Sequence, residues 1–309
     1  VETSPRQPRQ TVSTKTAPLA AWALVFNAFV WGVSWYPFRL LEAAGLHPLW
    51  ATFGIYALAG AALLAWRPGA WRHFLQHPLL WLLLAAAGLT NVGFNWAVTV
   101  GDVVRVVLLF YLMPAWSVLL AWGLLGERPT LPALARLLLA LAGVAIVLKT
   151  PDSTWPLPAN LPDWLALMGG LAFALTNVLL RRLKDTADEA RMVAMFAGGA
   201  LLAAAAAVLG QSLGVAYEPP APAAGWLLLV LGTSVAFLVA NLGLQYGAAR
   251  LPAATTALVM LTEVVFASVS SVLMDAAELQ ARTLIGGALI LLAALWAAWP
   301  ERPVLARGH

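Results

Sequence analysis

The chain runs to 309 residues, 61% of them hydrophobic and only 10% charged, with a mean hydropathy of +0.82. A soluble domain carries about 25% charged residues to solvate its surface, so this composition excludes water as the main solvent and leaves no room for a soluble domain. The net charge of +4 comes from basic residues scattered over loop ends, which argues against a nucleic-acid partner, and the absence of cysteine excludes disulfides, thiolate metal sites and a cysteine nucleophile.

Residues 1–18, rich in Pro, Thr, Ser, Gln and basic side chains, read as a disordered tail, and the apolar run behind them outlasts a signal-peptide core and so reads as a retained helix. A bilayer core takes on the order of 20 apolar residues per crossing. Hydropathy, Pro/Gly breaks and charges place helices at 19–41, 48–66, 78–100, 103–126, 131–149, 162–183, 191–213, 224–247, 252–274 and 281–299, with residues 150–161 as a linker and 300–309 as a tail. Trp22, Trp66, Trp81, Trp226 and Trp299 fall near helix ends, where amphipathic rings settle at the membrane interface.

The basic residues orient these ten helices. With the amino terminus inside, the cytoplasmic segments hold 14 of the 18 Lys and Arg, and the other side holds only Arg39, Arg105, Lys149 and Arg282. Positive charge favours the cytoplasmic side, so both termini are expected there.

The chain repeats itself. Thr90-Asn91-Val92-Gly93-Phe94-Asn95-Trp96 in the third helix aligns with Ala240-Asn241-Leu242-Gly243-Leu244-Gln245-Tyr246 in the eighth at an offset of 150. The same offset lays Leu108–Ser117 over Leu258–Ala267, and Glu127 meets Glu278 after one inserted residue. A weaker echo relates Trp31-Gly32-Val33-Ser34 to Phe173-Ala174-Leu175-Thr176. Five helices per half is an odd number, so the second half enters the membrane reversed. The expectation is an all-α membrane protein of two inverted five-helix repeats, 19–149 and 162–299. Such repeats support alternating access, in which the halves rock about a site near the bilayer midplane.

Polar side chains inside a bilayer carry a desolvation cost and face the bundle interior or a wet cavity. Gly88, Asn91, Asn95 and Thr99 form one stripe at helical spacing, and Ser234, Phe237, Asn241 and Gln245 repeat it. These amides either line a cavity suited to a zwitterionic or neutral solute or simply tie helices together. Asn27, Trp31, Ser34, Trp35 and Phe38 share a broad face of the first helix, and Tyr111 and Trp116 flank Pro114 in the fourth. Such rings form stacking walls for planar apolar side chains if they turn inward, or pack against lipid if they do not. Pro114 removes a backbone bond and is a candidate gating kink or a static packing feature. Asn177, beside Thr176, completes the candidate substrate-binding residues.

Glu263 is the one acidic residue placed deep in a span, with no Lys or Arg on its own helix. Either it exchanges a proton during a transport cycle, or it bridges helices in its neutral form. No central cluster of bases exists for phosphate-bearing cargo. The His residues lack metal-ligand spacing, and motifs for hydrolysis, ATP use or dinucleotide binding are missing, so no metal, cofactor or enzymatic activity is expected.

On Trp31-Gly32 with Ser34, on Leu112-Met113-Pro114 through Gly126-Glu127-Arg128, and on the degenerate copy Glu263 to Glu278 followed by Gly286-Gly287, the chain resembles the EamA-type members of the drug/metabolite transporter superfamily. The resemblance spans residues 19–299, and the aromatic, base-poor interior is most similar to the aromatic amino acid exporters of the YddG type. It implies a central cavity lined by helices one, three, four, six, eight and nine, and export of aromatic and other neutral amino acids and related metabolites across a bacterial inner membrane. The second copy departs from the family pattern in carrying Val264 where a proline often follows the glutamate, which puts gating by the ninth helix in question. The expected partners are a small-molecule substrate and the lipid bilayer, with the oligomeric state open and a monomer sufficient. Efflux of hydrophobic cations, with Glu263 as counter-charge, and a passive channel are the competing readings.

Overall fold

A computed structural model describes residues 17–125, 130–149, 157–248, 250–251, 253–277 and 280–298. The described residues form helices and no strands, and seven helical stretches are long and apolar enough to cross a membrane. Both tails, Glu127, Glu278 and Trp299 lie outside the described residues.

In chain order the helices are α1 (Ala17–Val33), α2 (Trp35–Ala43), α3 (Pro48–Trp66), α4 (Ala70–Gln76), α5 (Leu79–Val100), α6 (Val103–Phe110), α7 (Met113–Leu125), α8 (Leu131–Leu148), α9 (Leu161–Arg182), α10 (Asp188–Ser212), α11 (Ala224–Ala248), α12 (Ala253–Met260), α13 (Thr262–Leu273) and α14 (Ala281–Ala298). Their starts follow local chemistry. His47, Asp102, Thr130 and Asn160 each accept a backbone N–H in the first turn of the helix that follows, and Pro48, Pro132 and Pro162 occupy early positions where a missing N–H has no consequence.

Three helices expected to be continuous are broken, and each break has a backbone cause. At Ser34, between α1 and α2, Pro37 cannot donate to Val33, while the Ser34 hydroxyl donates to the Trp31 carbonyl at 2.7 Å. Between α6 and α7, Pro114 leaves the Phe110 carbonyl without its i+4 donor. That carbonyl faces Gly170 of α9, where a Cβ would lie 2.6 Å from its oxygen, so only glycine admits it. The break between α12 and α13 at Leu261 has no proline. There Val264 N–H turns to the Leu261 carbonyl at 3.2 Å, the Thr262 hydroxyl donates to Val259 at 2.7 Å, and the Met260 carbonyl accepts the Tyr111 hydroxyl at 3.2 Å. The loss of proline at 264 therefore does not restore a straight helix.

The packing is built on backbone approach. A Cβ at Gly143 would meet the Gly286 carbonyl at 2.6 Å, and one at Gly286 would meet the Gly143 carbonyl at 2.6 Å, so α8 and α14 touch main chain to main chain. Gly88 and Gly198 bring α5 and α10 together in the same way. Small residues of this kind replace the hydrophobic drive that lipid cannot supply. Helix α5 is the most buried span and packs on α9 and α10, while α1 packs on α11 and α13. Outward faces carry the large apolar side chains, including Trp22, Trp66, Trp81 and Leu138. The chain is a multi-pass membrane protein on this architecture.

Candidate functional site

Where α1 meets α11 and α5, Trp31 stacks on Phe237 with ring centroids 4.6 Å apart and planes 28° apart, and meets Phe94 edge-on at 6.4 Å. Phe237 also meets Tyr56 at 5.7 Å, and Phe94 leads through Phe110 at 4.8 Å to Phe173. Trp31 and Phe173 are half-buried, whereas Phe94 and Phe237 are buried. An aromatic block thus runs through the middle of the bundle, drawn from both halves of the chain.

The amides stand around it unevenly. Asn91 accepts the Tyr56 hydroxyl at 2.7 Å and Asn95 donates to Thr52 at 3.3 Å, so both tie α5 to α3. Asn27 donates to the Ala240 carbonyl at 2.8 Å and ties α1 to α11. Gln245 donates to Asn241 along α11 at 3.2 Å, and Asn177 is half-buried on α9. Among the described residues, two buried amide oxygens, Asn27 Oδ1 and Asn95 Oδ1, have no hydrogen-bond partner. A buried acceptor left unmade is costly, so each is a position that a donor group can satisfy.

Glu263, at the start of α13, is 8% exposed and accepts the Tyr111 hydroxyl at 2.9 Å. Tyr111 sits at the α6–α7 break, so the pair joins two broken helices. Pro114 is the second residue of α7, in its first turn after that break. Trp35 takes a different place from Trp31: its indole N–H donates to the Ser270 hydroxyl at 3.0 Å, and the Arg39 guanidinium lies over its ring at 5.2 Å.

One end of the bundle gathers charge. Arg39 donates to the Gly101 carbonyl at 2.6 Å and to the Ala276 carbonyl at 3.5 Å, which connects α2 to the ends of α5 and α13. Arg105 grips Asp163 in two parallel bonds of 2.7 and 2.8 Å and donates to the Val147 carbonyl at 2.6 Å. Asp163 is 1% exposed, and its second oxygen also accepts the Ala159 N–H at 3.0 Å. Beside these groups opens a cavity of about 320 Å³. At the same end, His47 accepts the Leu49 N–H at 3.2 Å and packs edge-on against Trp96 and Tyr217, and burial pushes its pKa below the ordinary 6.5.

The sequence points to Trp31, Asn91, Asn95, Tyr111 and Glu263 but not to the partners Tyr56, Thr52 and Phe94, nor to the pairing of Arg105 with Asp163. Tyr56, a lone phenol in an apolar helix, was a signal available in the sequence. The Arg105–Asp163 grip was not, because 58 residues separate its members and each stands beside a helix end where charge is ordinary. Among the described residues no group of His, Asp and Glu has the arrangement of a metal site.

The sequence profile of the EamA-like transporter family matches residues 18–149 and again 160–299. An uncharacterized transporter of Pseudomonas aeruginosa is 32% identical over 160 residues, which are 50% of this chain and 51% of the relative. The chain thus spans about half the length of the curated relative it matches. A solved crystal structure superposes with a TM-score of 0.55 over 92% of this chain and 97% of that chain at 20% identity, a likeness of fold. The helical membrane architecture and the profile matched over most of the chain agree: the protein belongs to the EamA-like transporter family.

Proposed function

We propose that the protein is a secondary transporter that exports aromatic and other neutral amino acids and related metabolites across a bacterial inner membrane by alternating access. Its ten spans are α1–α2, α3, α5, α6–α7 and α8 in the first half, and α9, α10, α11, α12–α13 and α14 in the second, inverted half. Both termini are cytoplasmic.

Packing supports the two-fold reading. The third span lies on the sixth as the eighth lies on the first, and the fourth lies on the sixth as the ninth lies on the first. Second with seventh, and fifth with tenth, are pairs that such an axis maps onto themselves. The two interior breaks, Tyr111–Leu112 and Leu261, fall at the 150-residue offset that aligns the halves.

The observation that carries the substrate class is the Trp31–Phe237 stack with Phe94 beside it, contributed by three spans and reaching a half-buried indole face. A planar apolar side chain stacks on such a wall, at about 0.5–1.5 kcal/mol beyond its buried area. Asn91, Asn95, Asn241 and Gln245 orient the rest of the substrate, and the unpartnered oxygens of Asn27 and Asn95 receive its donors. Efflux of hydrophobic cations is the second reading, favoured by one observation: Glu263 is buried and forms no ion pair among the described residues.

The test is uptake into proteoliposomes of neutral, acidic and basic amino acids and a hydrophobic cationic dye, with and without an imposed pH gradient. Selective flux of Phe, Trp or Met supports the amino acid reading. Flux of the dye alone supports the cation reading.

A further inference from the structure

The cavity at the charged end of the bundle lies between the α5–α6 turn and the segment joining α13 to α14. At about 320 Å³ it has the lower size of a small-molecule site, which runs from about 300 to 1,000 Å³. Both signs of charge stand in its wall: Asp102 and Asp275 on one hand, Arg105 and Arg282 on the other.

These groups are not equally free. Arg105 is held by Asp163 and the Val147 carbonyl, and one oxygen of Asp102 caps α6 by accepting the Arg105 N–H at 2.8 Å. Arg282 donates one N–H to the Lys149 carbonyl at 3.1 Å, but its Nε is buried with no hydrogen-bond partner among the described residues. Asp275 stands at φ +51, the only non-glycine residue of positive φ among the described residues. It follows the end of α13, where Ala276 N–H closes back on the Ser271 carbonyl at 2.7 Å, a position that favours glycine. The chain places a carboxylate there against the backbone preference, at the wall of a cavity that also holds an underused guanidinium.

We propose that this cavity is a binding site for the charged head of an α-amino acid, its ammonium received by Asp275 and the second oxygen of Asp102 and its carboxylate by Arg282. The inference rests on the amino acid reading above and adds to it a second site, at the mouth of the bundle rather than at the aromatic block. Both charges of the ligand are required. A lone cation meets Arg282, and a lone anion meets the two carboxylates, so each suffers a repulsion that the zwitterion avoids.

The natural absence of cysteine provides a local reporter. Ala277→Cys, in the cavity wall, is placed in the otherwise cysteine-free chain, reconstituted in nanodiscs so that both faces are open, and its rate of reaction with a charged methanethiosulfonate is measured. Glycine and L-phenylalanine should slow the reaction by roughly tenfold at about ten times their dissociation constant. Phenethylamine and 3-phenylpropanoate, each with one of the two charges, should leave it unchanged. Protection should be lost on adding Asp275→Gly, which keeps the backbone conformation and removes only the carboxylate, and on adding Arg282→Gln. Unprotected reaction in the presence of both zwitterions, or equal protection by the singly charged analogues, overturns the site. Amino acid flux without protection overturns the site and leaves the transport reading standing, whereas protection without amino acid flux does the reverse.

Discussion

The Tyr111 hydroxyl donates to Glu263 at 2.9 Å from one interrupted helix to another, across 152 residues of sequence. Tyr111 also reaches the Met260 carbonyl at 3.2 Å, which the break at Leu261 deprives of its usual donor. One phenol thus serves both the buried carboxylate and the opened backbone.

Tyr111→Phe removes both contacts and leaves a buried carboxylate oxygen and a carbonyl short of a donor. An unsatisfied buried acceptor costs about 1–3 kcal/mol, so the variant should unfold at a lower temperature in detergent. Glu263→Gln keeps an acceptor for the phenol and should unfold close to wild type. Thermal melts of the two variants side by side check the ordering.

Gly286→Ala tests the backbone contact of α8 and α14. Its Cβ would lie 2.6 Å from the Gly143 carbonyl, with no flexible side chain to give way, and forced separation of this kind costs about 1–3 kcal/mol. Gly232→Ala meets nothing within 4 Å and should be neutral or stabilising, since alanine is the better helix former. Tryptophan fluorescence melts of both variants give the comparison.

His47 predicts a pH dependence. Its pKa in the folded chain lies below the unfolded value near 6.5 because burial penalises the charged ring. Protonation at Nδ1 would also destroy the acceptor that caps α3 and set a cation at a helix amino terminus. The unfolded chain therefore binds the proton first. Stability from this group is complete above the unfolded pKa and is lost as pH falls from there toward the folded value. Wild-type melting temperature should decline as pH drops below about 6.5, and His47→Asn, which can still cap, should flatten that decline.

The proposed inverted topology predicts opposite labelling of two exposed positions. Gly69→Cys and Ala223→Cys, each alone in the cysteine-free chain, lie at loops two and seven spans into the chain. In intact cells an impermeant maleimide should label the second and not the first. Labelling of the first position alone reverses the orientation, and labelling of both breaks the count of spans between them.

Helix positions were legible because twenty-residue apolar runs separated by proline, glycine and charge leave little choice of boundary. The interruptions were legible only in part. Pro37 and Pro114 mark two of them, but the break at Leu261 arises from Thr262 turning on its own backbone and from a phenol 150 residues away, and no local rule contains that phenol. Short α4 was missed for a related reason: its seven residues form a loop segment rather than a crossing. Trp31 and Phe237 were each picked out by helical spacing, yet periodicity gives only the face of a helix, and their contact depends on the packing of α1 on α11. Asn91 and Asn95 show the converse. Their stripe was plain, but Tyr56 and Thr52 already engage them, which spacing on one helix cannot reveal.

The most direct test of the transport reading is counterflow of radiolabelled L-phenylalanine in proteoliposomes holding either the wild-type protein or Trp31→Ala. The account predicts saturable flux above protein-free vesicles for the wild type and a marked loss for the variant, which removes one face of the Phe237 stack while the protein stays monodisperse. Wild-type flux no greater than that of empty vesicles, or undiminished flux in Trp31→Ala, would contradict it.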